Sequence, residues 1–135
     1  MKTNTQFYKE DFDRIAALSM IYESVKDRIK MPLDMFQLVM NDWNVIPLKE
    51  KGLVIGGVLE KENEVHIGYG IKPTFSIKGH LRKTLRKVID KYGFAVTSVM
   101  QENEKGINFC KRLGFVEIKR EQGKIYFKCD RCNYV

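Results

Sequence analysis

Cysteines, long apolar runs and a signal-peptide core are scarce or missing in this chain, and each absence excludes a class of protein. The three cysteines, Cys110, Cys129 and Cys132, are an odd, late-placed set, which excludes a disulfide framework. No apolar run approaches the roughly 20 residues that a membrane-spanning helix needs, and the opening stretch "MKTNTQFYKEDFDRI" lacks the apolar centre of a signal peptide. The chain of 135 residues is therefore expected to form a single domain, 1–135, in the cytoplasm.

The net charge of +7 is unevenly distributed along the chain. Residues 1–50 contain 7 basic and 8 acidic side chains, whereas residues 51–135 contain 17 basic and 9 acidic ones. The second part is therefore expected to attract an anionic partner: a phosphorylated cofactor, a nucleic acid or an acidic protein. A solvated basic surface without a ligand is the alternative interpretation.

The first part of the chain predicts two helices. Apolar residues recur near helical spacing over residues 11–27, with Asp11 as the predicted N-cap. Pro32 suits the start of a second helix over residues 33–43, and its predicted apolar face contains Met35, Phe36, Val39 and Met40. A first strand near residues 5–9 is a further expectation.

The middle of the chain changes to strand periodicity. Residues 44–49 predict a strand, and Pro47 favours an edge position for it because proline donates no backbone hydrogen bond. The run "GLVIGGVLE" is typical of a strand buried on both faces. In "EVHIGYGIK" one face is predicted to be apolar and to consist of Val65, Ile67, Tyr69 and Ile71. These three segments predict an antiparallel meander.

Helical patterns return in the second part and alternate with strands. A helix is predicted over residues 79–93, followed by a strand over 94–101. The helix is predicted to have an apolar face of Leu81, Leu85, Val88, Ile89 and Tyr92 and a basic side of Arg82, Lys83, Arg86 and Lys87. Asn103 and Gly114 have the residue types that begin and end a helix. The last segment predicts a hairpin that turns near Gln122 and Gly123. The order of elements indicates a mixed α/β (α+β) fold, a sheet with helices on both faces.

Four consecutive segments carry a family resemblance: "YGIKP", "SIKGHLRKTLRKVIDKYG", "FAVTSVMQEN" and "NEKGINFCKRLGF". With the order of elements, they resemble the GNAT superfamily of acyl-CoA-dependent N-acyltransferases over nearly the whole chain. The resemblance implies a GNAT-like domain with a mixed, mostly antiparallel sheet. The organisation is also similar to short GNAT-like proteins encoded by tailed phages, which would imply a virion-associated setting.

The resemblance implies where coenzyme A would bind. The pyrophosphate would lie at the start of a helix, where free N–H groups attract anions, against Lys78, Gly79, His80, Leu81 and Arg82. The pantetheine arm would contact the backbone from Tyr69 to Ile71 and the side chain of Asn103. The chain departs from the family's loop pattern at two positions. Ser76 stands where Gln or Arg is usual, and Leu81 stands where a small residue, Gly or Ala, is usual.

The resemblance also implies candidates for catalysis. The general base of the family commonly lies on the strand before the loop, and Glu64 and His66 are the candidates there. His66 has the better ordinary pKa for deprotonating an amine; a base acting through water, or a half-exposed strand residue with no role, are alternatives. Cys110 occupies the position where the family often has a tyrosine that protonates the leaving thiolate. Its alternative role is a small buried side chain.

These residues favour a function that transfers an acetyl group from acetyl-CoA, or another acyl-CoA, directly to a primary amine of a small molecule or a protein. The alternative is a GNAT-fold protein that has lost catalysis and serves as a binding or phage virion-associated protein. Nucleic-acid binding is not expected, because no DNA-reading motif is present. No metal is expected either, since the lone "CDRC" at Cys129 and Cys132 supplies too few of the four ligands that a zinc site needs.

Overall fold

The computed structural model describes the backbone of residues 4–74 and 78–130, and side chains from residue 12 onward except those of residues 78 and 80. In chain order the elements are α1 (Asn4–Ile29), α2 (Leu33–Val39), β1 (Asn44–Glu50), β2 (Leu53–Lys61), β3 (Glu64–Tyr69), α3 (Lys78–Tyr92), β4 (Ala95–Met100), α4 (Glu104–Leu113), β5 (Val116–Glu121) and β6 (Lys124–Cys129). None of the helices in these ranges is long and apolar enough to cross a membrane.

The strands form one sheet in the order β1-β2-β3-β4-β6-β5. β1 pairs antiparallel with β2 alone, and this edge position accommodates Pro47, as the sequence predicts. β3 and β4 run parallel and are paired at Glu64 and Val96. β6 lies between β4 and β5 and is antiparallel to both. A mixed, mostly antiparallel sheet with four helices in the described ranges confirms the predicted fold class.

The chain divides into two compact units, and residues 1–61 with 67–75 form the first. Its core is a cluster of buried side chains from α1, α2 and β2, namely Leu18, Ile21, Phe36 and Leu59. Residues 54–59 of β2 are all buried, as expected for a strand covered on both faces. Arg14 donates hydrogen bonds to the carbonyls of Met40 and Trp43, each at 2.9 Å, and so fixes the end of α2 against α1.

Residues 62–66 and 76–135 form the second unit. The face of α3 predicted to be apolar is buried at Leu81, Leu85 and Val88. The hairpin turns at Gln122 and Gly123, which have φ angles of 52° and 77°, as a type I′ turn requires. The remaining core comes from β3, β4, β6 and α4 and includes Val65, Ala95, Cys110, Leu113, Phe115, Ile125, Phe127 and Cys129.

Several predictions about the first unit are wrong. α1 already begins at Asn4, so residues 5–9 are not a strand and Asp11 is not an N-cap. The reason is that α1 contains no glycine or proline to stop it. α2 ends at Val39, and its Met35 is 51% exposed, so the predicted apolar face is buried only at Phe36 among its helical residues.

β3 is also shorter than predicted. It ends at Tyr69, and both Tyr69 and Ile71 are exposed, so the apolar face predicted for residues 65–71 is buried at Val65 and not at its far end. Gly70 leaves the strand pattern and donates its N–H to the carbonyl of Ile55, 2.9 Å away. The expected run of four inward-facing residues is therefore interrupted.

Candidate functional site

The N-terminus of α3 is uncrowded among the residues that the structure describes. The helix begins at Lys78, so the N–H groups of its first four residues have no partner inside the helix. A Cβ added at Gly79 would have no heavy atom within 4 Å. The first turn contains no acidic residue to neutralise the positive end of the helix dipole. These three properties suit an anion that approaches the backbone closely.

Leu81 does not obstruct this approach with its side chain. It replaces the small residue of the family pattern, and a larger side chain facing the ligand would narrow the space for a phosphate. The structure buries the side chain to 3% exposure, in the core beneath α3. Its backbone N–H nevertheless remains one of the first four of the helix.

A basic groove continues along α3 from this end. The groove has a volume of about 760 Å³ and is lined by Gly79, Arg82, Lys83, Arg86, Lys87, Asp90 and Lys91. Five of these side chains are basic and one is acidic, so the groove favours anionic ligands. The side of α3 predicted to be basic is therefore a largely exposed, positively charged surface.

α4 begins and ends where the sequence predicts. The side chain of Asn103 accepts a hydrogen bond from the N–H of Gly106 at 3.1 Å, which caps the helix. A Cβ added at Gly106 would lie 2.7 Å from Nδ2 of Asn103 and 2.9 Å from Cγ1 of Val99. Gly114 ends the helix with a φ of 105°. Glycine at position 106 therefore leaves room for the side chain of Asn103. The capping hydrogen bond is accepted by Oδ1 of Asn103 and does not involve Nδ2.

Glu64 and His66 lie together at the start of β3, and Thr97 of β4 joins them. Oε2 of Glu64 is 2.5 Å from Nε2 of His66, and Oγ1 of Thr97 is 3.3 Å from Nδ1 of the same ring. The side chains of Glu64 and His66 are 43% and 26% exposed, so both are partly open to solvent. The three groups form a carboxylate–imidazole–hydroxyl chain of the kind that moves protons in enzymes.

Cys110 is buried on the inward side of α4 and is 8% exposed. Burial raises the pKa of its thiol to about 11, because the apolar surroundings disfavour the thiolate. The group is therefore a neutral thiol at pH 7. A nucleophilic role is disfavoured, because the thiolate is the reactive form.

Tyr69 and Ile71 belong to the first unit, and both are exposed. The loop that follows them is tied to β1, because Oε1 of Glu50 accepts hydrogen bonds from the N–H and the hydroxyl of Thr74. These bonds hold the pKa of the Glu50 carboxyl below its usual range. The loop is thus anchored before it leads to α3.

Two solved structures share this arrangement of elements. One is the PaiA N-acetyltransferase from Thermoplasma acidophilum in complex with coenzyme A, with a TM-score of 0.55, 15% identity, and coverage of 88% of this chain and 89% of that one. The other is a probable acetyltransferase with a TM-score of 0.57, 18% identity, and coverage of 93% and 89%. The chain has the fold of these acetyltransferases. No family model and no curated protein matches the sequence.

Within this acetyltransferase fold, the predicted site residues of the second unit fall into two groups. Gly79 and Arg82 lie at the entrance and along the groove of α3, whereas Glu64 and His66 are in mutual contact on β3. The sequence reasoning missed Thr97, which becomes a partner of His66 only through the pairing of two strands. The side chains of Lys78 and His80, and all of Ser76 and Cys132, lie outside the described residues.

Cysteine and histidine do not assemble into a metal site in the described part of the chain. No group of three or more His, Cys, Asp or Glu side chains there could hold a metal ion. Cys129 is buried at the end of β6, where its side chain contributes to the core of the second unit. It is the last residue of that strand.

Proposed function

We propose that this chain is a CoA-dependent N-acyltransferase that transfers an acetyl group from acetyl-CoA, or another acyl group from its CoA thioester, directly to a primary amine. The observation that carries the proposal is the open, basic N-terminal end of α3 in a chain with an acetyltransferase fold. One of the similar structures described above was solved with coenzyme A. A diphosphate is the anion that this combination suits best.

The residues present fit coenzyme A in charge and in space. Gly79 leaves the backbone accessible, and the N–H groups of residues 78–81 can donate to a pyrophosphate. Arg82 and Lys83 supply positive charge one turn further on. Asn103 has an amide Nδ2 that its cap does not use, which can donate to the pantetheine arm.

The proposed chemistry uses His66 as the base. A neutral amine nitrogen attacks the thioester carbon while His66 accepts the amine proton, with Glu64 stabilising the resulting imidazolium. The new C–N bond forms as the C–S bond breaks, and the sulfur leaves as a thiolate. Coenzyme A supplies the activated acyl group.

Cys110 is assigned a packing role in this proposal. A thiol with a pKa of about 11 gives up its proton less readily than an ordinary thiol does, so it is a weak acid for a leaving thiolate. We propose that the thiolate instead takes its proton from water. Retention of turnover in a Cys110→Ala variant supports this assignment, and a loss of about 100-fold or more would return Cys110 to the role of acid.

Isothermal titration calorimetry with CoA and acetyl-CoA tests the proposal. The wild-type chain is expected to bind both, and Gly79→Glu is expected to weaken binding about 10-fold or more, because the new carboxylate would face the pyrophosphate. Asn108→Glu, at an exposed position on α4, adds the same charge elsewhere and is the matched control. Absence of binding to the wild-type chain at millimolar ligand would overturn the proposal.

Turnover is measured separately, by release of free CoA in the presence of a panel of small primary amines and lysine peptides. Transfer that Gly79→Glu abolishes supports an enzyme. Binding of CoA without transfer to any amine in the panel would instead favour the scaffold that has lost catalysis.

A further inference from the structure

The contacts of His66 determine which of its ring nitrogens is basic. Nε2 lies 2.5 Å from a carboxylate oxygen of Glu64, and a carboxylate accepts hydrogen bonds but does not donate them. Nε2 therefore carries a proton in both the neutral and the charged ring. In the neutral ring, Nδ1 is the remaining acceptor and the only site that can take up a proton.

Nδ1 in turn faces the hydroxyl of Thr97 at 3.3 Å. The hydroxyl can donate to the neutral ring and accept from the charged one, since it has one proton and two lone pairs. A proton that reaches Nδ1 can therefore arrive through Thr97. Contacts of this length are common at sites that tighten only when substrate is bound.

We propose that Thr97 is the third member of a proton relay with His66 and Glu64, through which the acceptor amine loses its proton; this inference rests on the acyltransferase function proposed above. Oγ1 of Thr97 accepts the amine proton as its own hydroxyl proton moves to Nδ1 of His66. Thr97 ends the step unchanged, His66 has gained one proton, and Nε2–H still donates to Glu64. The electron pair left on the amine nitrogen forms the bond to the acyl carbon.

The position of Thr97 in the sheet supports a role beyond packing. Thr97 pairs with Phe127 of β6 on one side, and its neighbour Val96 donates its N–H to the carbonyl of Asn63 at 2.8 Å on the other. Backbone bonds therefore hold the segment on both sides without help from the hydroxyl. The hydroxyl is thus available to a functional contact, and valine would keep the strand intact, since it is branched like threonine and favours strands.

The experiment combines kinetics with nitrogen-15 NMR of the His66 ring in wild type, Thr97→Val and Thr97→Ser. Thr97→Val is expected to lower kcat about 10- to 100-fold with KM for acetyl-CoA unchanged, and Thr97→Ser to restore most of the rate. In the spectra, the neutral wild-type ring is expected to be protonated at Nε2. The Nδ1 resonance should move when Thr97→Val removes its donor and should stay in place in Thr97→Ser.

Thr84→Val is the matched control, because it makes the same change at a buried threonine of α3. It should alter neither kcat nor the Nδ1 resonance. Equal kcat in wild type and Thr97→Val overturns the relay and leaves the acyltransferase proposal intact. A wild-type chain that does not bind CoA overturns the acyltransferase proposal, and with it the catalytic relay. A ring protonated at Nδ1, or a Nδ1 resonance that Thr97→Val does not move, overturns the relay by itself.

Discussion

α3 and α4 each contain a glycine in the first turn, and the surroundings of the two glycines are opposite. A Cβ at Gly79 of α3 would meet nothing within 4 Å, whereas a Cβ at Gly106 of α4 would collide with the capping side chain of Asn103. α4 also has an acidic residue, Glu104, in its first turn, and α3 has none. α4 therefore has a side-chain cap and a negative charge at its N-terminus, whereas the first turn of α3 contains no acidic residue and is uncrowded at Gly79.

The largest expected difference in unfolding free energy is between two single variants, Gly106→Ala and Gly79→Ala. Gly106→Ala should destabilise the protein by about 1–2 kcal/mol, because the new Cβ displaces the cap. Gly79→Ala should be neutral or stabilise by up to about 1 kcal/mol, since alanine favours the helix, and it should weaken CoA binding. Urea unfolding and calorimetry measure both effects. A Gly106→Ala variant as stable as wild type would show that the crowding at Gly106 has no energetic consequence.

The next effect separates the two roles assigned to Asn103. Asn103→Ala should cost about 1 kcal/mol of unfolding free energy through the lost cap, whereas Asn103→Ser should retain most of it because serine also caps helices. Both substitutions remove the amide, so both should weaken CoA binding if Nδ2 meets the pantetheine arm. Thermal melts and calorimetry on the same samples provide the comparison. If Asn103→Ser binds CoA as wild type does, Asn103 is a cap alone.

The smallest effect concerns the buried thiol of α4 and appears only at high pH. Burial raises the pKa of Cys110 to about 11, so the folded state keeps a proton that the unfolded state has lost above its ordinary thiol pKa. The resulting stability is present below pH 8 and is lost as the pH rises towards 11. Between pH 8 and 10, wild type should lose about 1 kcal/mol more than Cys110→Ala.

Urea titrations at the two pH values measure this difference. Leu85→Met is the matched control on α3, because it replaces a buried side chain that does not titrate, and it should follow the pH dependence of wild type. Parallel losses in wild type and Cys110→Ala would mean that the thiol ionises in the folded protein as easily as in the unfolded chain.

The features that the sequence predicts correctly are those fixed by neighbouring residues. Asn103 and Gly114 delimit α4 because capping acts within a few residues of the chain. The hairpin turn at Gln122 and Gly123 can be predicted for the same reason, since a type I′ turn restricts the residue types at its two central positions. The amphipathic pattern of α3 likewise shows which side of the helix is buried.

The features that it does not predict depend on contacts between distant segments. Thr97 and His66 are 31 residues apart, and nothing in the local pattern of either strand indicates that they meet. β6 lies between β4 and β5 because it pairs with β4, for example at Val99 and Ile125. The residue types in β4 do not indicate this pairing. The exposure of Met35 on α2 also depends on what covers the helix rather than on its spacing.

The chain has a single tryptophan, Trp43, so tryptophan fluorescence reports on one part of the molecule. Trp43 packs against the core of the first unit, where Arg14 holds its carbonyl. Tryptophan fluorescence therefore reports on that unit, while circular dichroism averages over the whole backbone. A Tyr126→Trp substitution, at a half-buried position on β6, would add a second tryptophan in the unit that contains α3, Glu64 and His66.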